Sequence, residues 1–196
     1  MHHIHTTDGL VIQSRNHGEA NKIVHIFTRD LGLIVAVAQG IRFEKSKLRY
    51  NIRDYFFSSF SLVHGKEFWR IVGAEELFEV SGEGGLKGSK VAILNRVSSI
   101  LTRLILGEEK HEDLFDCLWN FAKFEIPNDA GQEFLSIVES LLVVRILYRL
   151  GYVARNQELD SDLVKSNFDR DKILALMPQR VNINRLINNA LRESHL

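Results

Sequence analysis

The hydrophobic period of this 196-residue chain changes once, near residue 85, and that change decides what it can fold into. Before it, apolar and β-branched residues come in short runs: Leu10-Val11-Ile12, Ile23-Val24-His25-Ile26-Phe27 and Leu33-Ile34-Val35-Ala36-Val37-Ala38. These close in turn on Asn16-His17-Gly18, on Arg29-Asp30-Leu31-Gly32 and on Gly40, residues that favour turns. Tyr55 to His64 places Phe56, Ser58, Phe60 and Leu62 on one face, and His64-Gly65-Lys66 turns tightly into Glu67 to Ala74. Five short antiparallel strands in one small sheet leave exposed edges, so closure into a barrel is expected. The five-stranded oligonucleotide-binding (OB) barrel fits the strand count and length. An SH3-like barrel fits nearly as well on pattern alone.

Residues 81–90, Ser-Gly-Glu-Gly-Gly-Leu-Lys-Gly-Ser-Lys, read as a glycine-rich linker. They are not a phosphate loop, because the G-x-x-x-x-G-K-[ST] spacing is not met. Beyond them the period becomes helical. Val91, Leu94, Val97, Leu101 and Leu104 form one stripe, opposite Arg96, Ser99 and Arg103. A second helix is expected from His111 to Glu125, with Glu112 and Asp113 in its first turn and Pro127 beyond it. Gln132 to Leu150 is apolar nearly all round and meets Gly151, so it reads as the central helix of a bundle. Two shorter helices follow, Asp169 to Met177, stopped by Pro178, and Asn182 to about Glu193. The expected class is α+β: a barrel over 1–80, a linker over 81–90 and a helical domain over 91–196.

Most chemistries are excluded by what is missing from the chain. A single cysteine, Cys117, rules out a disulfide framework and a thiolate-rich zinc site, and points to a reducing compartment. Cys117 lies within an amphipathic helix and reads as a packing residue. No G-x-S-x-G, H-E-x-x-H or G-x-G-x-x-G is present, so no enzyme, cofactor or metal is expected. His2, His3 and His5 read as surface histidines at a frayed terminus; on a strand only His3 and His5 share a face. The most apolar stretch, Phe134 to Tyr152, carries Glu139, Arg145 and Arg149 and so reads as a core helix, not a membrane span. With no secretory signal in view, a cytoplasmic location is expected.

Lys plus Arg and Asp plus Glu are both 25, so no global field draws the chain to nucleic acid and any attraction must be local. One segment supplies it. Arg42, Lys45, Lys47, Arg49 and Arg53 are opposed by Glu44 alone, and Phe43 and Tyr50 lie among them. Cations neutralise phosphates and aromatics stack on bases, the two elements that single-strand binders combine. Trp69 and Arg70 on the last strand are candidates to extend that surface, with Trp69 equally suited to the core.

Several of these residues follow one order. Thr7-Asp8-Gly9-Leu10-Val11, Gly18-Glu19-Ala20-Asn21-Lys22-Ile23, Phe27-Thr28-Arg29-Asp30-Leu31-Gly32 and Ala38-Gln39-Gly40-Ile41-Arg42 resemble the N-terminal signature of the bacterial recombination mediator RecO family. Ser46 and Leu48 fit its loop after the third strand, and Leu150-Gly151-Tyr152 resembles the end of its central helix. The resemblance implies an OB-fold followed by a helical domain. It also implies a non-enzymatic repair protein that binds single- and double-stranded DNA, anneals complementary strands, contacts RecR and the C-terminal tail of single-strand binding protein, and helps load RecA. Arg42 and the cations up to Arg53 match the family's basic loop.

Two departures stand out. Many members carry a four-cysteine zinc motif soon after the central helix, whereas Val153 to Leu159 here holds no cysteine. The chain is also short for the family, as though its C-terminal lobe were trimmed. An acidic, apolar-ended tail calls for an apolar slot rimmed by a cation. Arg145 and Arg149, four residues apart and bordered by Leu142 and Ile146, are the candidate receptor; the competing and favoured reading is that both arginines pair with Glu or Asp on a neighbouring helix and serve the fold. The alternative is a barrel that binds only proteins, without direct nucleic-acid contact.

Overall fold

The structure, a computed structural model, describes residues 3–80, 87–153, 161–165 and 167–193. Its elements group into two compact units, Met1–Gly82 with Leu94–Glu112 and Glu83–Ile93 with Asp113–Leu196.

The first unit holds the strands β1 (Ile4–His17), β2 (Asn21–Thr28), β3 (Gly32–Ala38), β4 (Phe56–His64) and β5 (Trp69–Glu79), with a single-turn helix α1 (Leu48–Asn51) between β3 and β4. They close into a barrel of order β1-β2-β3-β5-β4, with β4 returning to β1. This is the OB-fold, and it settles the choice against the SH3-like barrel. Closure rests on a short parallel contact, Ala36 opposite Trp69 and Val37 opposite Arg70. Every other pairing is antiparallel. Alternation of side chains puts Val11, Val24, Ile26, Ile34, Ala36, Phe60, Leu62 and Ile71 into one core, and Ile41 and Ile52 plug it from the β3–β4 connection. The β4–β5 turn runs from Gly65 to Phe68, and the Gly65 amide donates to the Phe68 carbonyl at 3.1 Å.

Trp69 belongs to this core, with 5% of its surface exposed. Its indole Nε1 donates to Glu108 Oε1 at 2.8 Å, and the rings of His5 and His64 meet it edge-on. It therefore does not extend a ligand surface, whereas its neighbour Arg70 is exposed. Glu108 introduces a strap laid over the barrel after helix α2 (Lys87–Leu104). Lys110 pairs with Asp30 at 3.4 Å and Glu112 with Arg29 at 3.3 Å. Gly32, at φ 70°, lies so close to the backbone of Glu109 that a Cβ there would collide with its carbonyl. Glycine is needed at that point for both dihedral and space.

The second unit is helical: α3 (Glu112–Lys123), α4 (Gln132–Arg149), α5 (Ser161–Val164), α6 (Arg170–Leu176) and α7 (Arg180–Glu193). The central helix α4 is buried along most of its length, from Phe134 to Leu147. Gly151, at φ 82°, and Tyr152 close it, their amides donating to the Tyr148 and Leu147 carbonyls. Leu114, Phe115, Leu118, Phe121 and Ala122 bury one face of α3. Cys117 lies fully inside; burial pushes its thiol up, away from the reactive thiolate. Asp169 caps α6 by accepting from the Lys172 amide at 3.0 Å.

Four expectations need correction. Helix α2 begins at Lys87, inside the expected linker, because Gly88 falls in the first turn, where amides lack intrahelical partners in any case. Residues 94–112 group with the barrel, not with the helices. Helix α7 begins at Arg180, since Pro178 sits in a 3₁₀ turn, Met177–Gln179, that leads directly into it. Finally, Leu142, Arg145, Ile146 and Arg149 form no open groove: Leu142 and Ile146 are fully buried and Arg145 is 2% exposed. Arg145 Nε donates to the Leu163 carbonyl at 2.9 Å, and its guanidinium lies 4.4 Å from the Phe168 ring centroid. Arg149 donates to the carbonyls of Asp113, Arg145 and Val164. A helix apolar on every side has no outer face, so its arginines turn inward and satisfy backbone oxygens.

Candidate nucleic-acid interface

The basic segment leaves β3 through Gly40, whose left-handed φ of 64° turns the chain back across the barrel's end. The Gly40 amide donates to Asn21 Oδ1 at 2.9 Å and the Arg42 amide to the Ala20 carbonyl at 3.0 Å, tying the segment to the β1–β2 turn. Buried Ile41 and Ile52 anchor its two ends, and Leu48 packs on the core between them. Asn51 Nδ2 donates to the Ala74 carbonyl at 2.6 Å, while the Asn51 carbonyl accepts from Ser58 Oγ at 2.8 Å. Tyr55 follows at φ 67°, an uncommon conformation for a side-chain-bearing residue. It is held by its amide bond to the Val11 carbonyl at 2.8 Å and by its hydroxyl at 3.0 Å from Asn95 Oδ1. Burial raises that hydroxyl's pKa, keeping it a donor.

With the apolar residues turned in, the others turn out. Arg42, Phe43, Lys45, Lys47, Arg49, Tyr50 and Arg53 are all exposed. Phe43 keeps 64% and Tyr50 61% of its surface open, a large exposure for aromatic rings on a well-anchored segment. The seven residues singled out in the sequence therefore share one short stretch of surface, but they are not equivalent. Arg53 is engaged by the fold: its guanidinium lies 3.9 Å from the Phe56 ring centroid, Nε donates to the Tyr50 carbonyl at 3.0 Å, and Nη2 is 3.9 Å from Glu79. Arg42 Nη1 donates to the Gly18 carbonyl at 3.0 Å. Arg49 lies 5.2 Å from the Tyr50 ring. Lys45, Lys47 and Arg49 pair with no carboxylate among the described residues, and with Phe43 and Tyr50 they form the open part of the site.

Strand register adds a feature that sequence reading missed. Arg15 opposes Ile23, Ile23 opposes Val37, and Val37 opposes Arg70. One cross-strand row thus carries an exposed arginine at each end, Arg15 on β1 and Arg70 on β5. Nothing local marks Arg15; only the pairing reveals it. His25, one step along the same face, has its pKa lowered by burial first and by the Arg15 charge second, which favours neutral imidazole. Among the described residues no cluster of histidine, cysteine and carboxylate groups is fit to hold a metal ion. The zinc-motif stretch is outside the described residues beyond Val153. No described helix is long and apolar enough to cross a membrane.

A closed barrel of this strand order, with a cationic, aromatic-bearing segment exposed between β3 and β4, defines the class: an OB-fold domain. Residues 1–76 match the family described as recombination protein O N terminal. Similar proteins include DNA repair protein RecO of Heliobacterium modesticaldum, 29% identical over 153 residues, 76% of this chain and 52% of that protein. DNA repair protein RecO of Desulfitobacterium hafniense is 36% identical over 63 residues, 32% of this chain and 23% of its own length. That of Caldanaerobacter subterraneus is 28% identical over 110 residues, 56% of this chain and 44% of its own length. The chain thus spans about half the length of the Heliobacterium relative, and less of the other two.

Proposed function

We propose that this chain is a non-catalytic mediator of DNA repair and homologous recombination. It binds single- and double-stranded DNA, anneals complementary strands and helps load RecA on single strands coated by single-strand binding protein. The observation that carries the reading is the anchored segment 42–53, which exposes Lys45, Lys47 and Arg49 beside two open aromatic rings at one end of an OB barrel. The name shared by its relatives, DNA repair protein RecO, supports the same reading. RecR and the tail of single-strand binding protein are the proposed protein partners, with no part for the buried Arg145 face.

The test is fluorescence anisotropy on a labelled single strand across a salt series. Four engaged cations (Arg42, Lys45, Lys47 and Arg49) give a slope of log K against log salt near −3, from about −0.7 per phosphate. Lys45→Glu, Lys47→Glu and Arg49→Glu together should abolish most binding without lowering the melting temperature, because all three side chains are in solvent. Wild-type affinity in that triple variant refutes the assignment. Absence of oligonucleotide binding by the wild-type chain favours the protein-only barrel instead.

A further inference from the structure

We infer that the outward face of α7 is a second nucleic-acid contact, in the helical unit, that takes the phosphate backbone of a duplex. The helix buries Ile183 and Ala190 and half-buries Asn184, Leu186, Ile187 and Leu191. At 100° per residue the opposite arc holds Val181, Asn182, Arg185, Asn188, Asn189 and Arg192, all exposed. Arg185 stands at the centre of that arc. Glu193 at its margin is the helix's one acidic residue, and no described carboxylate pairs with Arg185 or Arg192.

Three features distinguish this arc from an ordinary solvated face. Such a face mixes charge signs, with Glu and Lys four apart stabilising the helix, and this one carries cations only until its last residue. The first turn holds no acid to complement the helix dipole and begins with Arg180, which leans on Glu133 at 3.9 Å. Asparagine is a poor helix former, yet Asn182, Asn188 and Asn189 all point outward. Asn184 has a place in the fold, accepting from Ser140 Oγ at 2.9 Å. The outward three make no such bond among the described residues, and each weakens the helix that bears it. Their carboxamides both donate and accept, which suits phosphate oxygens and base edges alike.

Geometry selects a duplex over a single strand. Arg185 and Arg192 are two turns apart on one side of a straight rod, about 10 Å along the axis. That spacing is close to the roughly 12 Å major groove, whose walls are phosphate rows. A flexible single strand is bound by stacking, and this face has no aromatic residue.

The test uses the full chain carrying the Lys45→Glu, Lys47→Glu and Arg49→Glu changes, titrated with a labelled duplex and with a single strand of equal length. The expected result is residual duplex binding that falls at least about fivefold when Arg185→Ala and Arg192→Ala are added. The slope of log K against log salt should also flatten by about 1.8, from about −0.9 per phosphate. Arg185→Lys with Arg192→Lys should keep most of the affinity, which a purely structural role would not explain. No residual duplex binding, duplex affinity indifferent to the two alanines, or a loss confined to the single strand each overturns the inference. Failure of the barrel assignment is visible separately, as full affinity before α7 is touched.

Discussion

Gly32→Ala should be among the most damaging single-methyl additions in the barrel unit, and its cost can be built from the structure. An alanine at φ 70° costs about 1–2 kcal/mol, the ordinary penalty of left-handed backbone for an L side chain. The added Cβ also collides with the backbone carbonyl of Glu109, which has no rotamer in which to retreat. The strap from Glu108 to Glu112 must lift, and Trp69 Nε1 then loses its Glu108 acceptor. A partly buried donor left unpaired costs about 1–3 kcal/mol. The pairs Lys110–Asp30 and Arg29–Glu112 are open to solvent and screened, so their loss adds little. The sum is roughly 2–5 kcal/mol, which at a urea m-value near 2 kcal/mol/M lowers the midpoint by about 1–2.5 M. Gly18→Ala is the control. Gly18 also has positive φ, 60°, but nothing lies within 4 Å of its Cβ position, so it should cost about 1–2 kcal/mol and no more. Urea unfolding followed by Trp69 fluorescence in a Trp119→Phe background reads the barrel unit. Equal midpoint shifts for the two alanines would mean that the strap does not press on Gly32, and the argument would fail.

Phe43→Ala with Tyr50→Ala should weaken single-strand binding by about 1–3 kcal/mol per stacked base and leave the salt slope unchanged, since no charge is lost; an anisotropy titration at two salt concentrations checks both. Arg145→Ala should lower stability by about 3 kcal/mol in chemical denaturation, because it opens a cavity beside Phe168 and strips the Leu163 carbonyl of its donor. His25 has its folded pKa below the ordinary 6.5, so the unfolded chain binds the proton more readily. Its contribution to stability is complete above pH 6.5 and is lost as pH falls toward the folded value. His25→Gln should therefore reduce the drop in melting temperature between pH 7.5 and pH 5 relative to wild type.

What the sequence made legible was whatever a short window contains. The five strands, the turns at Gly18, Gly32 and Gly40, and the helix ending at Gly151 all announce themselves within a few residues. The exposed basic segment was legible for the same reason, since its cations and rings are neighbours in the chain. The strap was not: nothing in residues 108–112, the last two of them read as a helix start, signals that Trp69, Gly32 and Asp30 lie beneath them. Arg145 and Arg149 failed differently. Spacing of four places two residues on one helix face but does not say which face meets solvent, and on α4 almost none does. Arg15 needed the β1–β2 and β3–β5 registers before it could be placed in a row with Arg70.

The strap also sets an order of events during synthesis. The last strand of the barrel ends at Glu79, yet the residues that seat Trp69 and pin the β2–β3 turn lie at 108–112, roughly thirty residues later. At about 5–20 residues per second, a nascent barrel waits some seconds with its β2–β3 turn unpinned and its tryptophan without an acceptor. By then helix α2 has already been made. A barrel cut at the end of its strands would remain permanently at that waiting stage. Its stable translation unit reaches to Glu112, where the first residue of α3 is also the last anchor of the strands.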